Sequence, residues 1–161
     1  MHITPESSRR HFCQQLLGTL VGAVAVGRAA FAQTKPALIV YKDPSCGCCG
    51  MWIDYMQARG YKVTVYNKGM TEIKAQLKIP PALQSCHTTM AGGYVIEGHV
   101  PAPDIEKLLA QKPKNIIGLT IPGMPASAPG MDQKPFRPYT VLTFDAKGAT
   151  TVFAVHDKPP A

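Results

Sequence analysis

Three cysteines fall within four positions, Cys46-Gly47-Cys48-Cys49, and a fourth, Cys86, lies further on with an imidazole, His87, beside it. Sulfur at this density has few uses. Cys46 and Cys49 form a C-x-x-C pair, the spacing of a thiol–disulfide switch. A dithiol switch has no need of Cys48 or Cys86. A thiolate at the start of a helix meets free backbone N–H groups and the positive end of the helix dipole, which favours the ionised form that ligates metal or attacks a disulfide. Gly47 and Gly50 let the backbone wind tightly around the sulfurs. Soft thiolates select copper(I), zinc or iron–sulfur. Zinc draws its ligands in pairs from two knuckles, whereas three sulfurs in one turn crowd a single tetrahedral ion and suit bridging between ions. The pattern therefore favours copper(I), with a polynuclear cluster within reach of the donors, over zinc. Two Pro-Gly-Met triplets, Pro122-Gly123-Met124 and Pro129-Gly130-Met131, add two thioethers, which are soft donors as well. The competing uses are two structural disulfides for the cysteines, a plain hydrogen-bonded role for His87, and packing of a proline-rich loop for Met124 and Met131. His99 and His156 read as structural or solvated.

The elements around these residues can be read from periodicity. Leu38 to Tyr41 is a compact apolar run, a buried strand. Met51 to Arg59 carries Trp52, Ile53 and Met56 on one helical face and stops at Gly60. Tyr61 to Tyr66 alternates as a second strand, and Met70 to Leu77 is a short helix ended by Pro80-Pro81. Cys86 to Met90 and Tyr94 to Glu97 are strands about a glycine turn at Gly92-Gly93. A helix begins near Pro101, with Ile105, Leu108 and Leu109 on its apolar face. A βαβ unit followed by a hairpin and a helix is the thioredoxin-like order, an α/β class. In that order the chain just before the third strand, here Cys86-His87, passes beside the redox turn. Residues 119–161 read as a C-terminal extension outside that core: an irregular proline-rich loop from Ile121 to Phe136, then an appended β-hairpin formed by Tyr139 to Phe144 and Thr150 to Val155.

The chain has 161 residues and a formal charge of +7. That charge would raise nucleic acid as a partner, but the basic residues are scattered with no interleaved aromatics, and nucleic-acid binding is excluded. Part of the excess lies in the N-terminal segment. Ser8-Arg9-Arg10-His11-Phe12, the apolar run Leu16 to Val26 and Ala30-Phe31-Ala32 follow the basic, apolar and small-x-small plan of an export signal. The paired arginines resemble a twin-arginine signal. The apolar run is shorter than the roughly 20 residues of a membrane span. The expectation is a cleaved signal over residues 1–32, which takes Cys13 with it, and a mature domain over 33–161 with no membrane span, exported to the periplasm, where disulfides are permitted.

The run Lys42-Asp43-Pro44-Ser45-Cys46-Gly47-Cys48-Cys49-Gly50-Met51-Trp52, the stretch from Pro81 to Cys86-His87-Thr88, the segment Gly93-Tyr94-Val95-Ile96-Glu97-Gly98-His99-Val100-Pro101 and the two Pro-Gly-Met triplets together resemble the CopG-like metal-binding proteins of bacterial copper resistance. The resemblance spans nearly the whole of residues 33–161. It implies a periplasmic thioredoxin-like protein that binds copper through Cys46, Cys48, Cys49 and Cys86, with His87, Met124 and Met131 as further candidate ligands, with a role in copper redox handling and with other periplasmic copper-handling proteins as partners. Whether the chain is a copper oxidoreductase in the catalytic sense is left open by the residues. The alternatives are a periplasmic thiol–disulfide oxidoreductase using Cys46 as nucleophile and Cys49 as resolving thiol, and a zinc-stabilised binding module.

Overall fold

The structure is a computed structural model and describes residues 34–159; the expected export signal lies outside them. It is a mixed α/β fold of seven strands and three α-helices. The strands are β1 (Leu38–Lys42), β2 (Val63–Asn67), β3 (His87–Ala91), β4 (Tyr94–Glu97), β5 (Gly118–Thr120), β6 (Tyr139–Phe144) and β7 (Thr150–His156). The helices are α1 (Gly47–Ala58), α2 (Met70–Gln76) and α3 (Ala102–Gln111), with a 3₁₀ turn at Pro81–Leu83. All the strands join one sheet in the order β2-β1-β3-β4-β5-β6-β7. β1 runs parallel to β2 and antiparallel to β3, and β4 runs parallel to β5.

The alternation of β1 explains how the sheet is covered. Leu38 and Val40 are fully buried on one face, while Ile39 is exposed on the other. The covered face packs on α1 and α3. Cys49, Trp52, Ile53 and Met56 recur at helical spacing on the buried side of α1, and Ile105 and Leu108 do so on α3. Trp52, Ile53, Met56, Ile105 and Leu108 join Ala91, Ile96, Leu119 and Val141 in the main core. The opposite face is shared by a smaller cluster of Ile79, Leu83, Val95 and Phe144.

The residues after 118 do not stand apart from this core. β5 is a strand that the sequence pattern did not reveal. It pairs with β4 on one side and β6 on the other, so the C-terminal hairpin extends the same sheet. Ile121, Ala128, Tyr139 and Val141 lie in the main core. The irregular loop between β5 and β6 is pressed onto the start of α1. Gly130 has φ +81°, and a Cβ placed there would sit 2.6 Å from the backbone nitrogen of Trp52. That position admits only glycine on two counts, dihedral and space. Gly130→Ala is expected to lower stability by about 1–3 kcal/mol, read as a lower urea midpoint at unchanged slope; an unaltered midpoint would contradict the close approach.

Candidate metal centre

Cys46 is the N-cap of α1, with extended backbone, and it makes no side-chain capping bond. Helix α1 therefore starts earlier than its apolar periodicity announces, and Cys48 and Cys49 occupy its first turn. The loop ahead of it is built by Asp43, whose carboxylate accepts the Ser45 backbone N–H at 2.8 Å, and by Lys42, whose ammonium donates to the Asp43 carbonyl at 2.8 Å. First-turn amides have no carbonyl one turn back to bond, so negative charge on the sulfurs is favoured there.

Strand pairing supplies the fourth sulfur. His87 lies opposite Lys42 in the β1–β3 register, which sets Cys86, one residue earlier, beside the end of β1 from which the cysteine loop departs. The sulfurs of Cys46, Cys48, Cys49 and Cys86 all lie within 4.8 Å of one another. Cys46 and Cys49 are joined in a disulfide, their Cα atoms 5.4 Å apart, while Cys48 and Cys86 are free. The expected four-thiolate set is thus assembled in space, with two of its sulfurs bonded to each other. A C-x-x-C pair across one helical turn is within disulfide reach. Cys48 Sγ stands 3.6 Å from Cys46 Sγ. Two sulfurs on one tetrahedral ion, each about 2.3 Å from it, would be separated by about 3.8 Å. The sulfur positions fit a soft metal once the disulfide is reduced.

Two histidines complete the site. A second group of donors, Cys49, Cys86, His87 and His99, also lies within 4.8 Å. His99 reads from the sequence as structural or solvated. The structure buries it and sets its Nε2 3.1 Å from Cys86 Sγ. Its Nδ1 is 2.6 Å from the Pro129 carbonyl oxygen. A carbonyl only accepts, so Nδ1 carries the proton and the Nε2 lone pair faces the sulfur. The sequence signals for this were its place in the resembling segment Gly93 to Pro101 and the neighbouring Gly98, whose φ of +78° turns the chain between β4 and His99. His87 is fully buried between the rings of Trp52, at 4.6 Å, and His99, at 5.0 Å. Its Nδ1 is 3.4 Å from Cys86 Sγ, and its Nε2 has no hydrogen-bond partner.

The methionines separate. Met131 is half-buried and packs against the main core. Met124 is exposed and borders a shallow depression with Gln84, Ser85 and Cys86. His156 engages Asp104 at 2.7 Å and stacks on Tyr139. Behind Cys86, Glu97 is fully buried and ion-paired with Lys74. Its carboxylate accepts the Ser85 backbone N–H and the Thr88 hydroxyl, both at 2.6 Å. This clamp holds the residues on both sides of Cys86-His87. Removing one member of such a buried pair costs about 3–5 kcal/mol, so the clamp is a strong constraint on where the sulfur sits.

Burial also sets the protonation of the site. It pushes the Cys86 thiol up to about 11, helped by the neighbouring Cys48. Burial holds His87 well below its ordinary value of 6.5, with His99, Lys74 and Lys42 adding repulsion, and it holds His99 below that value too. Both rings are therefore neutral, with lone pairs free to ligate.

Comparison with known proteins fits this geometry. A family model described as a protein of unknown function, DUF411, matches residues 83–131, the stretch that carries Cys86, His87, His99 and both Pro-Gly-Met triplets. The solved structure of copper resistance protein CopG, form 1, is 36% identical, with a TM-score of 0.71, and covers 77% of this chain and 99% of that one. Form 2 is 37% identical with a TM-score of 0.70, covering 76% and 98%. The chain belongs to the CopG family. No curated protein sequence matches it. Within the CopG fold the four cysteines come from two segments only, α1 with its N-cap and the residue before β3. Among the described residues no helix is long and apolar enough to cross a membrane.

The histidines give a pH dependence with a definite sign. Their folded values are depressed, so the unfolded chain takes up protons first as pH falls. Stability is then full above about pH 6.5 and declines below it. The thermal midpoint of metal-free protein should fall between pH 7 and 5, and His87→Gln should flatten that fall. A midpoint independent of pH over this range would contradict neutral, buried imidazoles.

Proposed function

We propose that this is an exported copper-binding protein of copper resistance, which holds copper(I) through Cys46, Cys48, Cys49 and Cys86. The observation that carries the reading is the convergence of four sulfurs from two chain segments within 4.8 Å, in a chain that belongs to the CopG family. Copper is the cargo. Reduction of the Cys46–Cys49 disulfide frees two sulfurs, and together with Cys48 and Cys86 they form an all-sulfur donor set. Such a set prefers copper(I), and adjacent thiolates suit more than one bridged ion. Zinc remains the less favoured occupant. The exposure of Met124 beside Cys86 supports a role as a covering thioether, while the packing of Met131 supports a structural role as much as a ligand role.

The strand order β2-β1-β3-β4 with α1 and α3 on one face supports a thioredoxin-like core, with β5 to β7 as its extension. Arg9-Arg10, the apolar run and Ala30-Phe31-Ala32 support export to the periplasm by the twin-arginine route, removal of residues 1–32 and a mature domain over 33–161. Other periplasmic copper carriers are the natural partners for delivery and removal of the ion, and cycling of the copper between its two oxidation states fits the mixed sulfur and nitrogen surroundings. One observation favours a second reading. The Cys46–Cys49 disulfide sits at a helix start, the arrangement of a thiol–disulfide oxidoreductase.

One titration separates the two. Reduced protein, titrated anaerobically with copper(I) against a strong chelator, should retain copper, and Cys48→Ser or Cys86→Ser should weaken retention by at least about tenfold. Neither substitution touches the C-x-x-C pair. Affinity should also rise with pH, because binding expels the Cys86 proton. Full retention in both variants would sink the four-sulfur reading and leave the dithiol one.

A further inference from the structure

We propose that β7 is a docking edge for a second copy of this chain, paired antiparallel about a twofold axis that passes between Phe153 and Ala154. The inference concerns the far edge of the sheet and does not rest on the copper reading.

The two edges of the sheet differ. Among the described residues, β2 and β7 end the strand order with one neighbour each. An open edge offers unpaired N–H and C=O groups to another chain, and lysine, proline or a bulge commonly guards it. β2 is five residues long and stands between Lys62 and Lys68. β7 is seven residues long, with no lysine, proline or acidic residue within it. Two of its side chains, Val152 and Val155, are 65% and 62% exposed. Its guard is a bulge. Val141 pairs with Ala154 and Leu142 with Val152, which leaves Phe153 as the extra residue.

That bulge makes the strand self-complementary. Ala154 lies opposite the core residue Val141, and Phe153 packs against the same core, so two successive side chains point to the face covered by α1 and α3. His156, opposite Tyr139 of the core, points that way as well. Thr150 lies opposite Phe144, which belongs to the cluster on the other face. Alternation from these points sets Val152 and Val155 on that other face. Residues directly opposed in a ladder share a face. Over the whole of β7, symmetric pairing meets this condition only when the axis falls between the doubled residues, Phe153 and Ala154. The pairs are then Phe153 with Ala154, Val152 with Val155 and Thr151 with His156, each formed twice by the symmetry. The exposed valines meet one another as apolar cross-strand pairs. Just past the strand, Asp157 meets Thr150, so no like charges are opposed, and Lys147 in the hairpin turn of one copy comes to the Asp157 end of the other. Lys107 reaches the Phe153 carbonyl at 3.5 Å, long for a hydrogen bond, so the pairing displaces little. β7 stands four strands from β3. At about 4.8 Å per strand that is about 19 Å, so both cysteine clusters stay open in the dimer.

A single strand edge is a small interface, so association falls in the micromolar range. The purified chain, under a reductant that keeps Cys48 and Cys86 from bridging copies, is followed by sedimentation equilibrium from about 5 to 500 μM. The mass should double across that range. Val152→Lys with Val155→Lys opposes like charges in both valine pairs and should weaken association at least about tenfold. Val152→Glu with Val155→Lys sets opposite charges in both pairs and should restore it to within about threefold of wild type. Thermal midpoints of the dilute proteins should agree closely, because both positions are exposed, and copper(I) uptake should be the same in all three. A mass that stays at one copy throughout, one that grows past two copies, or equal association in the two double variants would overturn the proposal.

Discussion

The antiparallel pairing of β1 with β3 is the constraint on which the site depends. β1 ends at Lys42 and leads into the loop that starts α1, and β3 begins at His87, its register partner. That single pairing turns a sequence separation of 37 residues between Cys49 and Cys86 into shared space. A slip of one residue would send His87 to the other face of the sheet, away from Trp52 and α1. The alternation that buries Leu38 and Val40 fixes the register, so the core that folds the protein also aims its sulfur.

Buried polar groups do the finer positioning, from both faces of the sheet. On the α2 face, Glu97 with Lys74 grips Ser85 and Thr88, on either side of Cys86-His87. On the α1 face, the proline-rich loop presents the Pro129 carbonyl to His99. The loop is irregular in its backbone but fixed in place, with Ala128 in the core and Gly130 against Trp52.

Much of this was legible in the sequence, because the signals were strong and local. The apolar runs, the Gly92-Gly93 turn and the glycine after α1 marked the elements, and the cysteines marked the candidate site that the structure gathers in space. What was missed depended on long-range contacts. β5 is three residues long and begins with Gly118, too short for alternation to register, and only its place between β4 and β6 makes it a strand. Without it the C-terminal hairpin read as an appendage rather than as a continuation of the sheet. His99 had no periodic signal of its own and stood only within the resembling segment Gly93 to Pro101, and its placement follows from a turn at Gly98 and a carbonyl 30 residues away. The C-x-x-C spacing permitted both a disulfide and a ligand pair, and sequence alone does not choose between two states of the same sulfurs.

The central claim is that four sulfurs from two segments surround copper together when the protein is reduced. X-ray absorption at the copper edge of the copper(I)-loaded, reduced protein tests it most directly. The account predicts a shell of sulfur neighbours at about 2.3 Å, as for thiolate ligation generally, with sulfur lost from that shell in Cys86→Ser. A shell dominated by nitrogen and oxygen, or one unchanged when Cys86 is replaced, would contradict it.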